Sequence, residues 1–284
     1  MRLRATAGAG RAGRDASSWM VMSVCASGLL LVFLGLPFVS LLLRASPSQL
    51  LEHLTHPTVL SALRLSLVTA ASSTLLTVVF GTPLAWLLAT REFRGKRVIE
   101  TLVDLPMVLP PTVAGFALLL AFGRMGLAGR ALDAVGIHLP FTTLGVVAAQ
   151  LFMSVPFYVS PARAGFAAVD RRYLDAAATL GASETFRFTR VVLPLARPAL
   201  IAGIAMATAR ALGEFGATIM FAGNLPGTTQ TMPLAVYVAM NSDLDTAIVL
   251  AILLLVMSFT LLLGLRASPS TFLWNRGRAA SPAS

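Results

Sequence analysis

Two charged residues of opposite sign stand inside an otherwise apolar stretch of the sequence. Arg210 and Glu214 are four residues apart, a spacing that places both side chains on one face of an α-helix. A charge near the middle of a bilayer costs about 2.5–3.5 kcal/mol on insertion scales, so neither side chain is expected to face lipid. Two interpretations stay open, an ion pair that orients the helix or direct contact with a substrate. Thr218, one turn further along, is a third polar candidate.

The sequence contains no residues arranged for catalysis or for holding a metal ion. A phosphate-binding loop needs a Gly-Lys-Ser or Gly-Lys-Thr element, and the single lysine, Lys96, is followed by Arg97. The three histidines lack the spacing and cysteine neighbours of a zinc site. The serine-rich residues 66–73 have no histidine at a matching depth for an intramembrane serine enzyme. We predict that the chain is not an enzyme and holds no metal or cofactor.

The composition is that of a membrane protein. Of the 284 residues, 56% are hydrophobic and 12% charged, where soluble domains carry roughly a quarter charged residues. The mean hydropathy is +0.80. The net charge of +10 could suggest nucleic acid, but the basic residues fall into clusters between apolar runs rather than into one patch with aromatic neighbours. We predict an integral membrane protein that contacts lipid and binds no nucleic acid.

Six apolar stretches are long enough to cross a bilayer as helices, which takes about 20 residues each. They are residues 19–43, 59–89, 105–122, 142–162, 199–222 and 246–265. The sequence therefore predicts an all-α integral membrane fold with six transmembrane helices.

The distribution of basic residues predicts the orientation of these helices. The N-terminus, residues 91–100, residues 163–198 and the segment from Arg266 onwards together hold 17 Arg and Lys, whereas the alternate loops hold only three. Basic residues concentrate on the cytoplasmic side of membrane proteins, so both termini are predicted to be cytoplasmic. This gives a tail at 1–18, a membrane domain at 19–266 and a second tail at 267–284.

Residues 163–198 form a long polar connection that needs an explanation of its own. Asp170 is a suitable N-cap and Gly181 a suitable residue just past the C-terminus of a helix of about ten residues. Ser183 can cap a second short helix, which we expect to end at Pro194 because proline lacks a backbone N–H. Isolated helices of this length are marginal in water, which favours a partner or the chain's own core as their support.

The same segment resembles the permease subunits of bacterial ABC importers. The family pattern is acid-Ala-Ala-x3-Gly-x9-aliphatic-x-Leu-Pro, and this chain has Asp where Glu is usual and Val where Ile is usual. The matching residues are Asp175, Ala176, Ala177, Gly181, Val191, Leu193 and Pro194.

The resemblance implies the fold of a type I ABC importer permease and a set of partners. In that family the short helix inserts into a groove on an ATPase subunit, which binds ATP and Mg. Two ATPase subunits, a second permease copy and an extracytoplasmic oxyanion-binding protein are the implied partners, with a homodimer of permeases. The residues implied to couple to the ATPase are Asp175, Ala176, Ala177, Leu180, Gly181, Leu193 and Pro194.

Further motifs resemble the oxyanion branch of these permeases. They are residues 106–113, 121–127, 213–218, 221–224 and 231–235. The resemblance covers about residues 58–266 and implies import of a tetrahedral oxyanion, with molybdate or tungstate nearest and sulfate or thiosulfate as the alternative.

Prolines interrupt the third predicted span. Pro110 and Pro111 follow Pro106 closely, and freed carbonyls in a broken membrane helix must be satisfied by neighbours or water. A gate and a simple packing kink both explain such a break. A self-sufficient secondary carrier is a more distant alternative, and it would be expected to show internal repeats with interrupted helices in both halves of the chain. The sequence shows a clear proline break only in the third span, with no matching break three spans later.

Overall fold

A computed structural model describes residues 7–44, 54 and 56–266. The chain divides into two compact units at residue 50. In the first unit, helix α1 spans Ala7–Arg44. Its apolar part, Trp19–Arg44, buries none of its residues within the protein.

The regular structure described in the second unit is helical throughout. The helices are α2 (Pro57–Thr90), α3 (Lys96–Val108), α4 (Pro111–Phe122), α5 (Gly129–Ala134), α6 (Thr143–Ala167), α7 (Arg171–Thr179), α8 (Glu184–Arg187), a π-helical turn (Phe188–Val192), α9 (Leu193–Leu212), α10 (Gly216–Phe221), α11 (Met232–Ser242) and α12 (Leu244–Arg266).

Five helices of the described chain are long and apolar enough to cross a membrane. They are Trp19–Arg44, Pro57–Thr90, Thr143–Ala167, Glu184–Leu212 and Leu244–Gly264. The prediction of an all-α membrane fold is confirmed. The predicted third span, residues 105–122, is not one continuous helix, and only its shorter part, Pro111–Phe122, is an apolar helix. The count of six spans stays a prediction.

The third span breaks where the prolines are. Helix α3 ends at Val108, and Leu109 and Pro110 adopt extended backbone with ψ of 135° and 132°. A residue that precedes proline is pushed out of the helical region by the proline ring. Two successive prolines therefore force two extended residues, after which Pro111 begins α4 in a position where its missing N–H costs nothing.

The fifth span differs from its prediction at both ends. The expected helix end at Pro194 is wrong, because the helix that begins at Glu184 continues through the π-helical turn into α9. In that turn the N–H of Leu193 donates to the carbonyl of Phe188, five residues back. Pro194 follows directly after this turn, and because proline has no backbone N–H, one carbonyl of the preceding turn lacks a helical donor.

The same span ends before its predicted limit at residue 222. Helix α9 stops at Leu212, residues 213–215 are not helical, and the short α10 follows. The sequence predicts a proline break in the third span alone, with no matching break three spans later, and the sixth predicted stretch is one helix, α12. The break at residues 213–215 contains no proline and was not predicted. The predicted third and fifth stretches each consist of two shorter helices.

Helix α6 packs against α2 and α9, and a core cluster that includes Leu88, Tyr158 and Val192 lies among them. Small polar side chains of α2 face inwards along these contacts. Thr77 lies 3.3 Å from the Ser154 hydroxyl of α6, and the Ser66 hydroxyl accepts the N–H of Met232 at 2.7 Å. The second bond satisfies an N–H at the start of α11, which otherwise has no helical partner.

Candidate functional site

The two broken stretches, predicted as the third and fifth spans, meet each other through α4 and α10. A Cβ atom added to Gly115 of α4 would lie 2.6 Å from the carbonyl oxygen of Ala217. A Cβ atom added to Gly216 of α10 would lie 2.7 Å from the Cβ of Pro111. Both distances are shorter than real Cβ contacts, so the two helices approach with only glycine between their backbones. Small residues permit this kind of approach between membrane helices.

Glu214 joins the end of α9 to the start of α10. Its carboxylate is fully buried, and its Oε1 accepts the N–H of Ala217 at 2.7 Å. Its Oε2 lies 2.7 Å from a terminal guanidinium nitrogen of Arg210, whose side chain is 23% exposed. This contact is an ion pair, and Oε2 has no hydrogen-bond partner among the described residues. The carboxylate thereby links the last turn of α9 to the first turn of α10.

Arg210 and Glu214 form the ion pair that was one of the two open interpretations, but the expectation that both residues lie within one helix is wrong. Arg210 lies in the last turn of α9, whereas Glu214 follows the helix end. The chain leaves the helix at Gly213 and the carboxylate turns back toward the guanidinium. A role of the pair in substrate contact stays a prediction.

Other buried polar atoms near these helices have no hydrogen-bond partner in the described part of the chain. They include the hydroxyls of Thr218 and Thr231 and the side-chain oxygen of Gln150 on α6. Ala149 and Ala217, the chain neighbours of Gln150 and Thr218, belong to one core cluster. Thr218 was a predicted polar candidate; Gln150 was missed, and its signal was a lone amide inside an apolar stretch.

The two candidate prolines occupy different surroundings. Pro111 begins α4 and contacts Gly216, so the structure brings it to the element that Glu214 caps. Pro110 lies in the extended break and is exposed within this chain. The structure therefore brings Pro111, beside the break, against Gly216 of α10, although the two residues are about 100 positions apart in sequence.

Helix α7 begins and ends at the predicted capping residues. The Asp170 carboxylate accepts the backbone N–H of Arg172 at 3.0 Å and its Nε at 2.6 Å. These bonds favour the ionised form and hold the pKa of Asp170 below its usual value. At the other end Gly181 has φ +78° and donates its N–H to Ala178 at 2.9 Å. This left-handed residue ends the helix as expected.

Most of the coupling residues predicted on α7 are exposed in the single chain. Leu180 is 87% exposed, and nothing lies within 4 Å of a Cβ added to Gly181. Leu174 points the other way and packs against the core. Asp175 and Ala176 are also exposed, whereas Ala177 is half-buried. Of the two candidates on α9, Pro194 is exposed and Leu193 packs against the core. The segment thus presents a free face while one leucine anchors it.

Three aromatic residues attach this segment to the membrane helices. The ring centroids of Trp86 and Phe188 are 5.2 Å apart, and those of Trp86 and Phe166 are 5.5 Å apart. These residues come from α2, α6 and the π-helical turn. Such pairs contribute about 0.5–1.5 kcal/mol beyond their buried area. The sequence prediction missed them because each lies at the end of a separate helix.

Polar contacts fix α3 to α6 in the same part of the molecule. Arg163 forms an ion pair with Glu100 at 2.6 Å, and the hydroxyl of Ser160 donates to Asp104 at 2.8 Å. The element before the proline break is therefore held by α6, which also leads directly into α7.

The family of the chain follows from comparison with known proteins. Residues 81–267 match the family described as the binding-protein-dependent transport system inner membrane component. Over 253 residues, the chain is 42% identical to the molybdenum transport system permease protein ModB of Mycobacterium tuberculosis, covering 89% of this chain and 95% of that protein. Over 245 residues, it is 35% identical to the sulfate transport system permease protein CysT of Salmonella typhimurium, covering 85% and 88%.

A solved structure shows the same fold. A chain of the bacterial alginate ABC transporter, in complex with a periplasmic protein bound to alginate pentasaccharide, matches with a TM-score of 0.72 at 14% identity. The match covers 92% of this chain and 97% of that chain. Together with its apolar helices, these findings confirm the resemblance: the chain is a multi-pass inner membrane protein that belongs to the family of binding-protein-dependent transport system inner membrane components, the permease subunits of ABC importers.

Proposed function

We propose that the chain is the permease subunit of an ATP-driven importer for a tetrahedral oxyanion, most closely molybdate or tungstate. The observation that carries this proposal is the 42% identity to a molybdenum permease over 89% of the chain. The 35% identity to a sulfate permease favours sulfate or thiosulfate as the second candidate. A secondary carrier is the more distant alternative, and the family membership argues against it.

The proposed topology has six spans with both termini in the cytoplasm. Helices α3 and α4 together form the third span, and the helix from Glu184 together with α10 forms the fifth. Residues 163–198 then face the cytoplasm, and the tails at 1–18 and 267–284 lie on the same side. The concentration of basic residues in these segments supports this orientation.

The proposed partners follow from the free face of α7. Two ATPase subunits bind ATP and Mg. One docks on the α7 of each permease copy, through the exposed residues around Asp175 and Gly181. A second copy of the permease completes the pore, and an extracytoplasmic binding protein delivers the oxyanion. The alginate transporter, solved with a periplasmic protein, supports the last partner. This chain itself contributes no catalytic residue or cofactor.

The proposed mechanism is mechanical transmission along one helix. The helix from Glu184 to Leu212 has 29 residues, about 40 Å at 1.5 Å per residue. One end carries the segment that docks on the ATPase, and the other carries the Arg210–Glu214 pair. Glu214 binds the first turn of α10, which packs on α4. Closure of the ATPase pair would therefore move α10 and α4 together, including the break at Pro110 and Pro111.

The polar candidates of the membrane domain suit an anion path. Arg210 is partly exposed and offers a positive charge to an anion. Because buried Glu214 partly neutralises that charge, the attraction between Arg210 and an oxyanion is limited, and the oxyanion can leave as well as enter. Thr218 offers a buried hydroxyl without a partner in the described residues. Contact of these side chains with the oxyanion is part of the proposal.

Uptake of labelled oxyanions tests the proposed substrate. Cells that lack this chain are expected to lose molybdate uptake and to regain it when the chain is supplied again. Sulfate uptake should change little in the same cells. Restoration of sulfate uptake alone would transfer the assignment to the second candidate.

A substitution at Gly181 tests the proposed coupling. Gly181→Leu is expected to abolish ATP-coupled uptake while membrane insertion stays intact, because a large side chain would project from the docking face. Normal uptake by this variant would contradict docking through α7.

A further inference from the structure

A polar pocket of about 300 Å³ opens where the end of α2 meets α7 and α8. It lies beside the exposed face of α7, because Asp175, an exposed residue of that helix, also lines the pocket. The residues that line it are Trp86, Thr90, Arg91, Arg171, Leu174, Asp175, Glu184, Arg187 and Phe188. Asp175, Trp86 and Phe188 have been given roles above, but no role has been given to the three arginines of the pocket.

The pocket has more positive than negative charge. Three guanidinium groups and two carboxylates line it. Arg91 lies 4.0 Å from Glu184, but both side chains are strongly exposed, at 68% and 81%. Within the part of the chain that the structure describes, Arg171 and Arg187 have no ion pair. Two cationic side chains of the pocket therefore have no ion-pair partner among the described residues, and the lining as a whole carries one net positive charge.

Arg187 is incompletely satisfied in the single chain. Its Nε is buried and has no hydrogen-bond acceptor among the described residues. A guanidinium group carries five N–H donors in a planar fork, and a buried donor without an acceptor is unfavourable. An acceptor supplied from outside the chain would remove this defect.

We propose that the pocket receives an aspartate or glutamate side chain of the ATPase subunit, an inference that rests on the proposed docking of that subunit on α7. A carboxylate matches the planar fork of arginine and accepts two N–H bonds at once. Residues 163–198 hold six arginines and three acidic residues, so an acidic partner surface is complementary in charge to this segment.

Charge balance and docking together favour a protein carboxylate over a phosphate group. Three guanidinium groups and two carboxylates leave the pocket lining with one net positive charge, which a singly charged carboxylate neutralises. A carboxylate on a docked ATPase subunit is also held at the pocket by the rest of the interface, whereas a lipid phosphate or a free oxyanion would bind through the pocket alone.

Paired substitutions test the proposal. Arg187→Gln removes the charge in the pocket, and Arg190→Gln removes an equal charge from the same segment, at an exposed residue that does not line the pocket. In detergent without phospholipid, we expect R187Q to weaken binding of the purified ATPase subunit about tenfold or more. R190Q is expected to change binding less than twofold. The melting temperatures of both variants should match, which excludes misfolding as the cause.

Cross-linking identifies the occupant directly. Carbodiimide treatment of Arg187→Lys in complex with the ATPase is expected to form an amide bond to an ATPase carboxylate, with loss of water, and mass spectrometry would locate it. The same treatment of Arg190→Lys should give no such product. Cross-links of R187K only to Asp175 or Glu184 of the same chain would overturn the proposal.

The outcomes separate this inference from the docking itself. If Gly181→Leu abolishes ATPase binding while R187Q and R190Q bind equally well, the pocket has no acidic occupant although docking stands. If none of the three variants changes binding, docking on α7 fails as well. If R187Q binds less tightly only in the presence of phosphatidylglycerol vesicles, the occupant is a lipid phosphate and the proposal is wrong.

Discussion

Glycine serves two different physical purposes at the two ends of this protein's proposed transmission path. Gly181, at the end of α7, has φ +78° and no atom within 4 Å of an added Cβ. Gly115 and Gly216, where α4 crosses α10, have no positive φ, but an added Cβ would lie 2.6 and 2.7 Å from neighbouring atoms. The first glycine is required by backbone conformation, the others by the space between two helices.

The difference shows where each region obtains its structure. Helix α7 is defined by its own caps, Asp170 and Gly181, and stays exposed, so it can dock on a partner without rearranging. The crossing of α4 and α10 depends on residues far apart in sequence, and buried Glu214 holds it. Changes in the crossing should therefore destabilise the whole membrane domain, whereas changes in α7 should act locally.

The largest effect is expected from Glu214→Ala. The substitution leaves Arg210 in the membrane without its counter-ion and removes the acceptor for the N–H of Ala217. Loss of one partner of a buried ion pair costs about 3 kcal/mol or more. Thermal unfolding in detergent should show a clear loss of stability. The double variant R210A/E214A should recover a large part of it, and an unchanged melting temperature for E214A would contradict the role of the carboxylate.

Gly115→Ala should have the next largest effect. The new methyl group would overlap the carbonyl of Ala217, and the helices would have to separate. Overpacking of this kind costs about 1–3 kcal/mol. Gly264→Ala in α12 is the matched control, because no atom lies within 4 Å of that position. Equal melting temperatures of the two variants would show that the crossing is not tight.

Gly181→Ala should have a smaller and local effect. Alanine in the left-handed region costs about 1–2 kcal/mol, and only the end of α7 depends on it. Amide exchange in α7 should become faster while exchange in α6 and α9 stays the same. Gly181→Asn is the control, because asparagine visits this region more readily. If amide exchange in α7 is equally fast in both variants, the positive φ at residue 181 does not determine the stability of the helix end.

The smallest effect is expected from Asp170, through pH. Its pKa is lowered in the folded protein by the N–H donors of Arg172. The stabilisation it gives is therefore present above the ordinary carboxyl pKa of 3.8 and is lost as the pH falls through the lower folded value. Amide exchange in α7 should speed up in that acidic range. Asp170→Asn keeps a neutral cap and should show no such pH dependence. If the exchange rates of this variant and of the unchanged protein vary with pH in the same way, ionisation of Asp170 is not the cause.

Several features of the protein follow from short-range patterns in the sequence. The apolar stretches around α2, α6 and α12, the caps Asp170 and Gly181, and the break at Pro110 each depend on residues within a few positions of one another. Local geometry of this kind is readable because capping and proline sterics act over one helical turn.

Other features were mispredicted where a neighbour in space decides the outcome. Pro194 was expected to end a helix, yet the π-helical turn accommodates it while Phe188 packs on Trp86 of α2. Glu214 was expected inside a helix, yet the chain turns so that its carboxylate caps α10. In each case the local sequence is compatible with the predicted and with the observed conformation, and packing against a distant element selects the observed one.

The sequence by itself determined that this chain is an all-α membrane protein of the permease family, with a short helix capped by Asp170 and Gly181. Only the tertiary structure decided that α4 and α10 cross through glycine, that Glu214 joins α9 to α10, and that the half-buried Arg187 lines a pocket with its Nε buried. The physical reason is range: hydropathy and capping are properties of neighbouring residues, whereas close backbone approach and the pairing of buried charges depend on residues that only folding brings together.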